Sequence, residues 1–114
     1  MAYEVNGNTI EANEGGYLVN VDDWNEDVAK AIAAADGIPE LTSDHWDVVN
    51  YLRDEYINNG GHQPNMRALL KGMGTVWTDR KIDSKTLYDL FPTGPHKQAG
   101  KVAGLPETKG KGGY

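Results

Sequence analysis

Short helical segments separated by glycine are the feature that most constrains how this chain can fold. The strongest segment is residues 41–56, for which Thr42 or Ser43 is a suitable N-cap. Its apolar side chains recur every three to four positions, at Trp46, Val49, Leu52 and Tyr56. That spacing places them on one face of a helix, and the glycine pair at residues 60–61 ends it.

Four more segments carry helix signals of the same kind. Residues 24–35 follow the candidate caps Asp22 and Asp23, and Gly37 ends them. Trp24 and Trp46 fall at apolar positions of their segments and are predicted to pack in the core. The third predicted helix begins at Pro64 and is closed by Gly72 or Gly74, and the fourth runs from Ser84 to Phe91 with Asp83 or Ser84 as cap. The last runs from His96 to Ala103, where Pro95 can start it and Gly104 ends it.

The chain before these helices has a turn signal of another type. Asn6-Gly7 lies between apolar residues and favours the positive φ angles of a two-residue hairpin turn. The predicted fold class is therefore mainly α with a small N-terminal β-hairpin, about five helices and a helix-turn-helix-like core. We predict a single domain over residues 1–104, followed by a flexible C-terminal arm over residues 105–114 that contains Pro106 and three glycines.

Composition limits the classes of function. The 114 residues contain no cysteine, which excludes a disulfide framework and thiolate metal ligands in this chain. No apolar run is long enough to cross a bilayer, and no export signal is evident, so we expect a cytoplasmic protein without a membrane partner. Residues 1–93 hold 7 basic against 16 acidic side chains, a balance of −9, whereas residues 94–114 hold 4 against 1, a balance of +3. A basic tail on an acidic body suggests contact with an anionic partner or with the body itself, or simple solvation.

Histidines and glycines do not predict a metal or cofactor site. His45, His62 and His96 lie far apart in dissimilar contexts, and His45 is predicted to cap or pack within its own helix. No glycine-rich loop follows a strand with phosphate-binding spacing. We therefore predict no metal and no cofactor.

Basic residues of the predicted short helices are candidate nucleic-acid contacts. They are Arg67, Lys71, Arg80, Lys81 and Lys85. Placed on one face, they would contact phosphates. The acidic pI of about 4.9 works against this, because few phosphate contacts give weak, salt-sensitive binding.

The residues just before the C-terminus resemble a known family. Residues 87–106 read Leu-Tyr-Asp-Leu-Phe-Pro-Thr-Gly-Pro-His-Lys-Gln-Ala-Gly-Lys-Val-Ala-Gly-Leu-Pro. This block is similar to the signature of the DsrC/TusE family of sulfur-relay proteins. Similar residues also occur upstream, among them Trp24, His45, Trp46, Arg53, Pro64 and Arg67. The resemblance implies a small helical fold with an N-terminal hairpin and a C-terminal arm that carries the reactive cysteines.

Both family cysteine positions differ in this chain. The inner position is Gly100 and the outer position is Lys111. A sulfur carrier needs a thiolate to attack and hold sulfane sulfur, and neither residue supplies one. The chain therefore resembles the cysteine-less, regulatory (RspA-like) members, and we predict a protein that is not an enzyme and has no catalytic residue.

Three hypotheses about function follow from the resemblance. The first is a non-catalytic binding or regulatory protein of sulfur metabolism that docks on a sulfite-reductase-like or sulfur-relay protein and competes with a cysteine-bearing paralogue. Its predicted partner contacts are Lys97, Lys101, Lys109, Lys111 and Tyr114. The second is a transcriptional regulator that binds DNA through the helix-turn-helix-like segment. The third is a divergent sulfur-relay component, in tRNA 2-thiolation or in dissimilatory sulfite reduction or sulfur oxidation.

Overall fold

Within residues 1–107, a β-hairpin, a 3-10 turn and five α-helices follow one another. The computed structural model describes residues 1–107. The strands are β1 (Ala2–Val5) and β2 (Asn8–Glu11), and the 3-10 turn is Val21–Asp23. The helices are α1 (Glu26–Ala35), α2 (Ser43–Asn58), α3 (Met66–Val76), α4 (Ser84–Leu90) and α5 (Pro95–Val102). The prediction of a mainly helical fold with an N-terminal hairpin is confirmed.

The hairpin forms around the predicted turn. Asn6 and Gly7 have φ angles of 52° and 82°, the left-handed values that a two-residue hairpin turn requires. The strands are antiparallel, with Tyr3 opposite Ile10. Because side chains alternate along a strand, Tyr3 and Val5 both point inward and are buried, and β1 packs on α1. The helices thereby cover one face of a sheet that would be marginal alone.

The start of α1 differs from the prediction. Asp22 and Asp23 belong to the 3-10 turn, and α1 begins two residues after Trp24. Its N-cap is Asn25, whose side chain accepts a hydrogen bond from Val28 N–H at 2.9 Å. The prediction of an aspartate cap was therefore wrong: both aspartates lie before the chain turns into the helix.

The N-terminus of α2 confirms the predicted role of His45. Thr42 and His45 form a reciprocal capping box, in which His45 Nδ1 accepts the Thr42 N–H at 3.0 Å. Since Nδ1 accepts, Nε2 carries the hydrogen, which it donates to Leu90 O at 2.9 Å. The ring also meets Phe91 edge-on, with centroids 5.2 Å apart. His45 thus joins the start of α2 to the end of α4.

The helix α3 is longer than predicted. It continues through Gly72 and Gly74 to Val76, with Asn65 as its N-cap. An added Cβ at Gly72 would overlap the ring of Tyr51 from α2, whereas one at Gly74 would meet nothing within 4 Å. Glycine at position 72 therefore serves the close approach of α2 and does not end α3.

Helix α5 lies at the centre of the helical layer and packs against all four other helices. Its residues Ala99 and Val102 are fully buried with Phe91 from the end of α4. Trp24 and Trp46 are half-buried and pack on this core as predicted, while Trp77 is buried more deeply. Within residues 1–107, no helix is both long and apolar enough to cross a membrane.

Candidate functional site

The end of α5 sets the course of the chain toward the C-terminus. Gly104 has a φ of +75°, and the N–H groups of Gly104 and Leu105 donate to Lys101 O and Gly100 O, each at 3.0 Å. This pair of bonds is a Schellman motif, which ends a helix and turns the chain across it. Leu105 enters the core and is 1% exposed, so the first residue of the predicted arm packs with the body.

Side chains from α2 and the preceding segments hold this turn through its carbonyl groups. Trp24 Nε1 donates to Val102 O at 2.8 Å, and Arg53 Nη1 donates to Ala103 O at 2.7 Å. The Arg53 guanidinium also lies 4.0 Å from the centre of the Trp24 ring. Burial lowers the pKa of Arg53, yet a guanidinium remains charged at any physiological pH. Charge-assisted bonds of this kind are among the stronger ones in proteins.

Two further contacts fix the residues that follow. Gln63 Nε2 donates to Pro106 O at 2.9 Å, and Asn13 Nδ2 donates to Glu107 Oε1 at 3.3 Å. We refer to residues 102–106 as the arm root. Because four segments of the body hold the arm root and the residue after it, the body determines where the chain departs toward residue 108.

Gly100, at the inner cysteine position of the resemblance, lies buried on α5. A Cβ added there would come no closer than 3.6 Å to another group, the Gln63 side-chain oxygen. The backbone thus has room for a Cβ atom at this position. Lys111, at the outer position, lies outside the described residues.

The predicted partner-contact lysines fall in different environments. Lys97 is exposed on the first turn of α5. Lys101 is only 16% exposed and forms an ion pair with Asp36 at 2.9 Å, while Gln98 donates to the other carboxylate oxygen at 3.1 Å. Lys101 therefore joins α5 to the end of α1. Lys109, Lys111 and Tyr114 lie outside the described residues.

The candidate nucleic-acid residues also fall into two groups, those paired with a carboxylate and those that are not. Arg80 forms two hydrogen bonds to Asp44, at 2.7 and 2.9 Å, and these bonds lower the pKa of that carboxyl group. Lys85 pairs with Asp89 at 3.1 Å. Arg67, Lys71 and Lys81 are exposed, and in the described part of the chain no carboxylate pairs with them. Two of the five cations are therefore already matched by acidic side chains, which reduces the charge they offer to a phosphate.

The contacts of the arm root were missed because they join residues far apart in sequence. Arg53 and Ala103 are separated by 50 residues, and Gln63 and Pro106 by 43. No local sequence pattern predicts a hydrogen bond between residues so far apart in the chain. The glycine that ends α5 was the one local signal, and it correctly located the turn.

The fold and this turn define a class of small helical proteins. In this class, the turn that ends the last helix is held by a tryptophan and an arginine, here Trp24 and Arg53. A family model described as "DsrC like protein" matches residues 4–110. The sulfurtransferase TusE of Salmonella paratyphi A is 44% identical over 101 residues, 89% of this chain and 91% of that protein. The TusE homolog of Haemophilus influenzae is 44% identical over 103 residues, 90% of this chain and 93% of that protein.

Solved structures agree with these sequence relatives. The NMR structure of Allochromatium vinosum DsrC superposes with a TM-score of 0.86 at 43% identity, covering 97% of this chain and 99% of that one. The oxidized gamma-subunit of the dissimilatory sulfite reductase from Archaeoglobus fulgidus superposes with a TM-score of 0.82 at 35% identity and the same coverage. This chain belongs to the DsrC family of sulfur-relay proteins.

These relatives correct one prediction. We predicted that the chain is not an enzyme, and that prediction is contradicted because relatives at 44% identity are named sulfurtransferases. The prediction inferred from the two missing cysteines alone that the whole protein is not an enzyme. The sequence similarity extends over about nine-tenths of both chains, so the two missing cysteines do not decide the class of this protein by themselves.

Proposed function

We propose that this DsrC-family protein docks on a sulfite-reductase-like or sulfur-relay protein and presents its C-terminal residues to that partner without a cysteine to carry sulfur. The main support for this proposal is the way in which the body holds the arm root. Trp24 and Arg53 bind the carbonyl groups of Val102 and Ala103 at 2.8 and 2.7 Å, so the departure of the chain is set by the body. Preorganisation of this kind lowers the entropic cost of binding.

The chemistry of the arm supports the second half of the proposal. Sulfane sulfur is transferred by a thiolate that attacks and then holds it, and these 114 residues include no cysteine. Gly100 has room for a Cβ but has no side chain to bear a reactive group. What remains in this region is positive charge, of which exposed Lys97 is the described example. Lys109, Lys111 and Tyr114 complete the proposed contact set. Lys101 is left out of it, because its amine pairs with Asp36 and its side chain is only 16% exposed.

The partner class is inferred from the relatives. Solved relatives are named as the gamma-subunit of dissimilatory sulfite reductase, and curated relatives as sulfurtransferase TusE. A chain that shares the fold of those relatives has the overall shape to occupy the same partners. A cysteine-bearing paralogue in the same cell would then compete with this chain for one binding surface.

The test is a binding measurement with purified candidates from the host cell, namely a sulfite reductase and the sulfur-relay proteins. We expect saturable binding to one of them by isothermal titration calorimetry. Lys97→Glu should weaken it at least tenfold, because it reverses the charge beside the arm. Lys30→Glu is the matched control, since Lys30 is also exposed on a helix and belongs to α1. Absence of binding to all candidates would reject the proposal.

A further inference from the structure

The chain contains two Asn-Gly pairs, Asn6-Gly7 and Asn59-Gly60, and every other asparagine precedes a residue that has a Cβ atom. In an Asn-Gly pair the backbone nitrogen of glycine can attack the Cγ atom of the asparagine amide, because glycine has no Cβ to hinder the approach. The first pair forms the hairpin turn, and the second pair follows the last residue of α2. The two pairs therefore have the same chemistry in different surroundings.

Strand pairing restrains the first pair. Val5 lies opposite Asn8 in the antiparallel register, so both ends of the turn are fixed by the strands. Val5 is also buried in the core. Attack on Asn6 requires a rotation about its Cα–C bond, and this rotation would move Gly7 out of the turn and separate β1 from β2. The reaction at the first pair therefore requires the hairpin to open.

The second pair lies in an exposed loop, where fewer contacts restrain it. Residues 57–62 are all exposed to solvent. Asn59 is the C-cap of α2, and its φ of −123° and ψ of 40° lie outside the helical region. Gly61 and His62 donate backbone hydrogen bonds within this loop, whereas Gly60 N–H has no acceptor among the described residues. Because helix ends fray, the same rotation at Asn59 breaks few contacts and no residue of the loop leaves the core.

The side-chain amides do not distinguish the two pairs. Asn6 Nδ2 donates to Asp27 at 2.8 Å, and Asn59 Nδ2 donates to Glu55 at 3.0 Å. Each amide is thus held by one carboxylate from a helix, and both contacts are exposed. A difference in reactivity between the two pairs must therefore come from the backbone.

We propose that Asn59 is a site of spontaneous modification, at which Gly60 N attacks Cγ and closes a succinimide ring. The new N–Cγ bond replaces the Cγ–Nδ2 bond, and the side-chain nitrogen leaves as ammonia with the proton that Gly60 N gives up. Water then opens the ring at either of its carbonyl carbons, which leaves aspartate or isoaspartate. Water is the one co-reactant, and no oxidant or reductant is needed.

The product changes the connection between α2 and the arm root. Isoaspartate routes the backbone through its side-chain carbon atoms and adds a negative charge near the Glu55 carboxylate, at the end of a helix where anions are disfavoured. The same loop leads to Gln63, whose side chain donates to Pro106 O at 2.9 Å. A longer backbone and the repulsion between two carboxylates displace Gln63 and weaken this bond. The modified chain therefore holds its arm root less firmly, whether or not the docking proposal is correct.

The experiment compares the two pairs within one protein. The folded protein is incubated at mildly alkaline pH, and peptide mass spectrometry follows the conversion of amide to acid at Asn6 and Asn59, with aspartyl and isoaspartyl peptides separated by chromatography. We expect Asn59 to convert at least tenfold faster than Asn6 in the folded protein and at a similar rate in urea, where the hairpin no longer protects Asn6. Comparable rates in the folded protein, or the same preference for Asn59 in urea, would overturn the proposal.

Two neighbouring variants assign the signal to one side chain. Asn59→Gln should abolish conversion in this loop, because the longer side chain closes a larger ring far more slowly, whereas Asn58→Gln should leave it unchanged. Both residues are exposed, so both variants should fold, and thermal unfolding verifies this. Hydrogen exchange then compares isoaspartyl with unmodified wild-type protein, and the amides of Leu105 and Glu107 should exchange faster in the isoaspartyl fraction. Conversion that persists in Asn59→Gln, or equal exchange in the two fractions, would contradict the proposal.

Discussion

Two glycines of this chain occupy the same position in the same motif, and replacing each by alanine tests how the arm root is held. Gly37 ends α1 and Gly104 ends α5. In both, the glycine N–H bonds the carbonyl three residues back and the next N–H bonds the carbonyl five residues back. Their φ angles are +90° and +75°. A Cβ at Gly37 would meet nothing within 4 Å, whereas one at Gly104 would overlap the Trp24 indole.

The difference between the two variants can be estimated from these contacts. The left-handed backbone costs a residue with a Cβ roughly 1–2 kcal/mol, and this applies to both positions. Gly104→Ala additionally displaces Trp24, which loses its hydrogen bond to Val102 O, worth about 1 kcal/mol. The contact between Trp24 and Arg53, worth about 0.5–1 kcal/mol, weakens as well. We therefore expect a loss of about 3 kcal/mol for Gly104→Ala and about 1.5 kcal/mol for Gly37→Ala.

Urea unfolding followed by tryptophan fluorescence measures both free energies, and hydrogen exchange locates the effect. A domain of this size should lose about 4 °C in Tm for each kcal/mol, so the two variants differ by roughly 6 °C. Amides of residues 103–105 should exchange faster in Gly104→Ala but not in Gly37→Ala. Equal losses of stability in the two variants would refute the idea that Trp24 packs against the turn and holds the arm root.

Three further predictions follow from individual contacts. Gly72→Ala should destabilise the protein because the new methyl group overlaps Tyr51, whereas Gly74→Ala in the same helix should stabilise it by up to about 1 kcal/mol, as urea unfolding would show. His96→Gln should reduce the acid sensitivity of folding: the pKa of His96 is lowered in the folded state, so the unfolded chain binds more protons and stability falls as the pH drops below the ordinary value of 6.5. Equal slopes of stability between pH 7 and 5 for the variant and the wild type would contradict this. Gly100→Ala should keep the free energy of unfolding within about 1 kcal/mol of the wild type, because an added Cβ meets nothing closer than 3.6 Å, and urea unfolding would check this.

Local signals in the sequence predicted most of the elements. Asn6-Gly7 located the hairpin turn, Thr42 located the start of α2, and Gly104 located the end of α5, because each determines backbone geometry within a few residues. Where the sequence offered more than one possible end for a helix, tertiary packing decided where the helix ends. Gly72 was predicted as a possible helix end, yet α3 continues through it. The lack of a side chain at position 72 instead makes room for the ring of Tyr51 from α2.

The site was less predictable than the fold. Lys101 was predicted as a partner contact from charge and position alone, but its amine pairs with Asp36, 65 residues earlier in the chain. Arg80 was grouped with Arg67 as a candidate nucleic-acid contact, and the fold gives it a carboxylate partner while Arg67 faces a groove. Net charge along a chain shows where cations are, and only the folded contacts show which of them remain unmatched.

We propose that this chain binds the partners of its cysteine-bearing relatives without carrying sulfur on a thiol. The most direct test is a competition experiment in which a fluorescently labelled cysteine-bearing relative is bound to its sulfite reductase or relay partner and this chain is added. We predict that the wild-type chain displaces the labelled relative with saturating dose dependence and that Gly104→Ala does so less effectively than Gly37→Ala. Failure of the wild-type chain to displace the relative at any concentration, while the unlabelled relative does, would contradict the account.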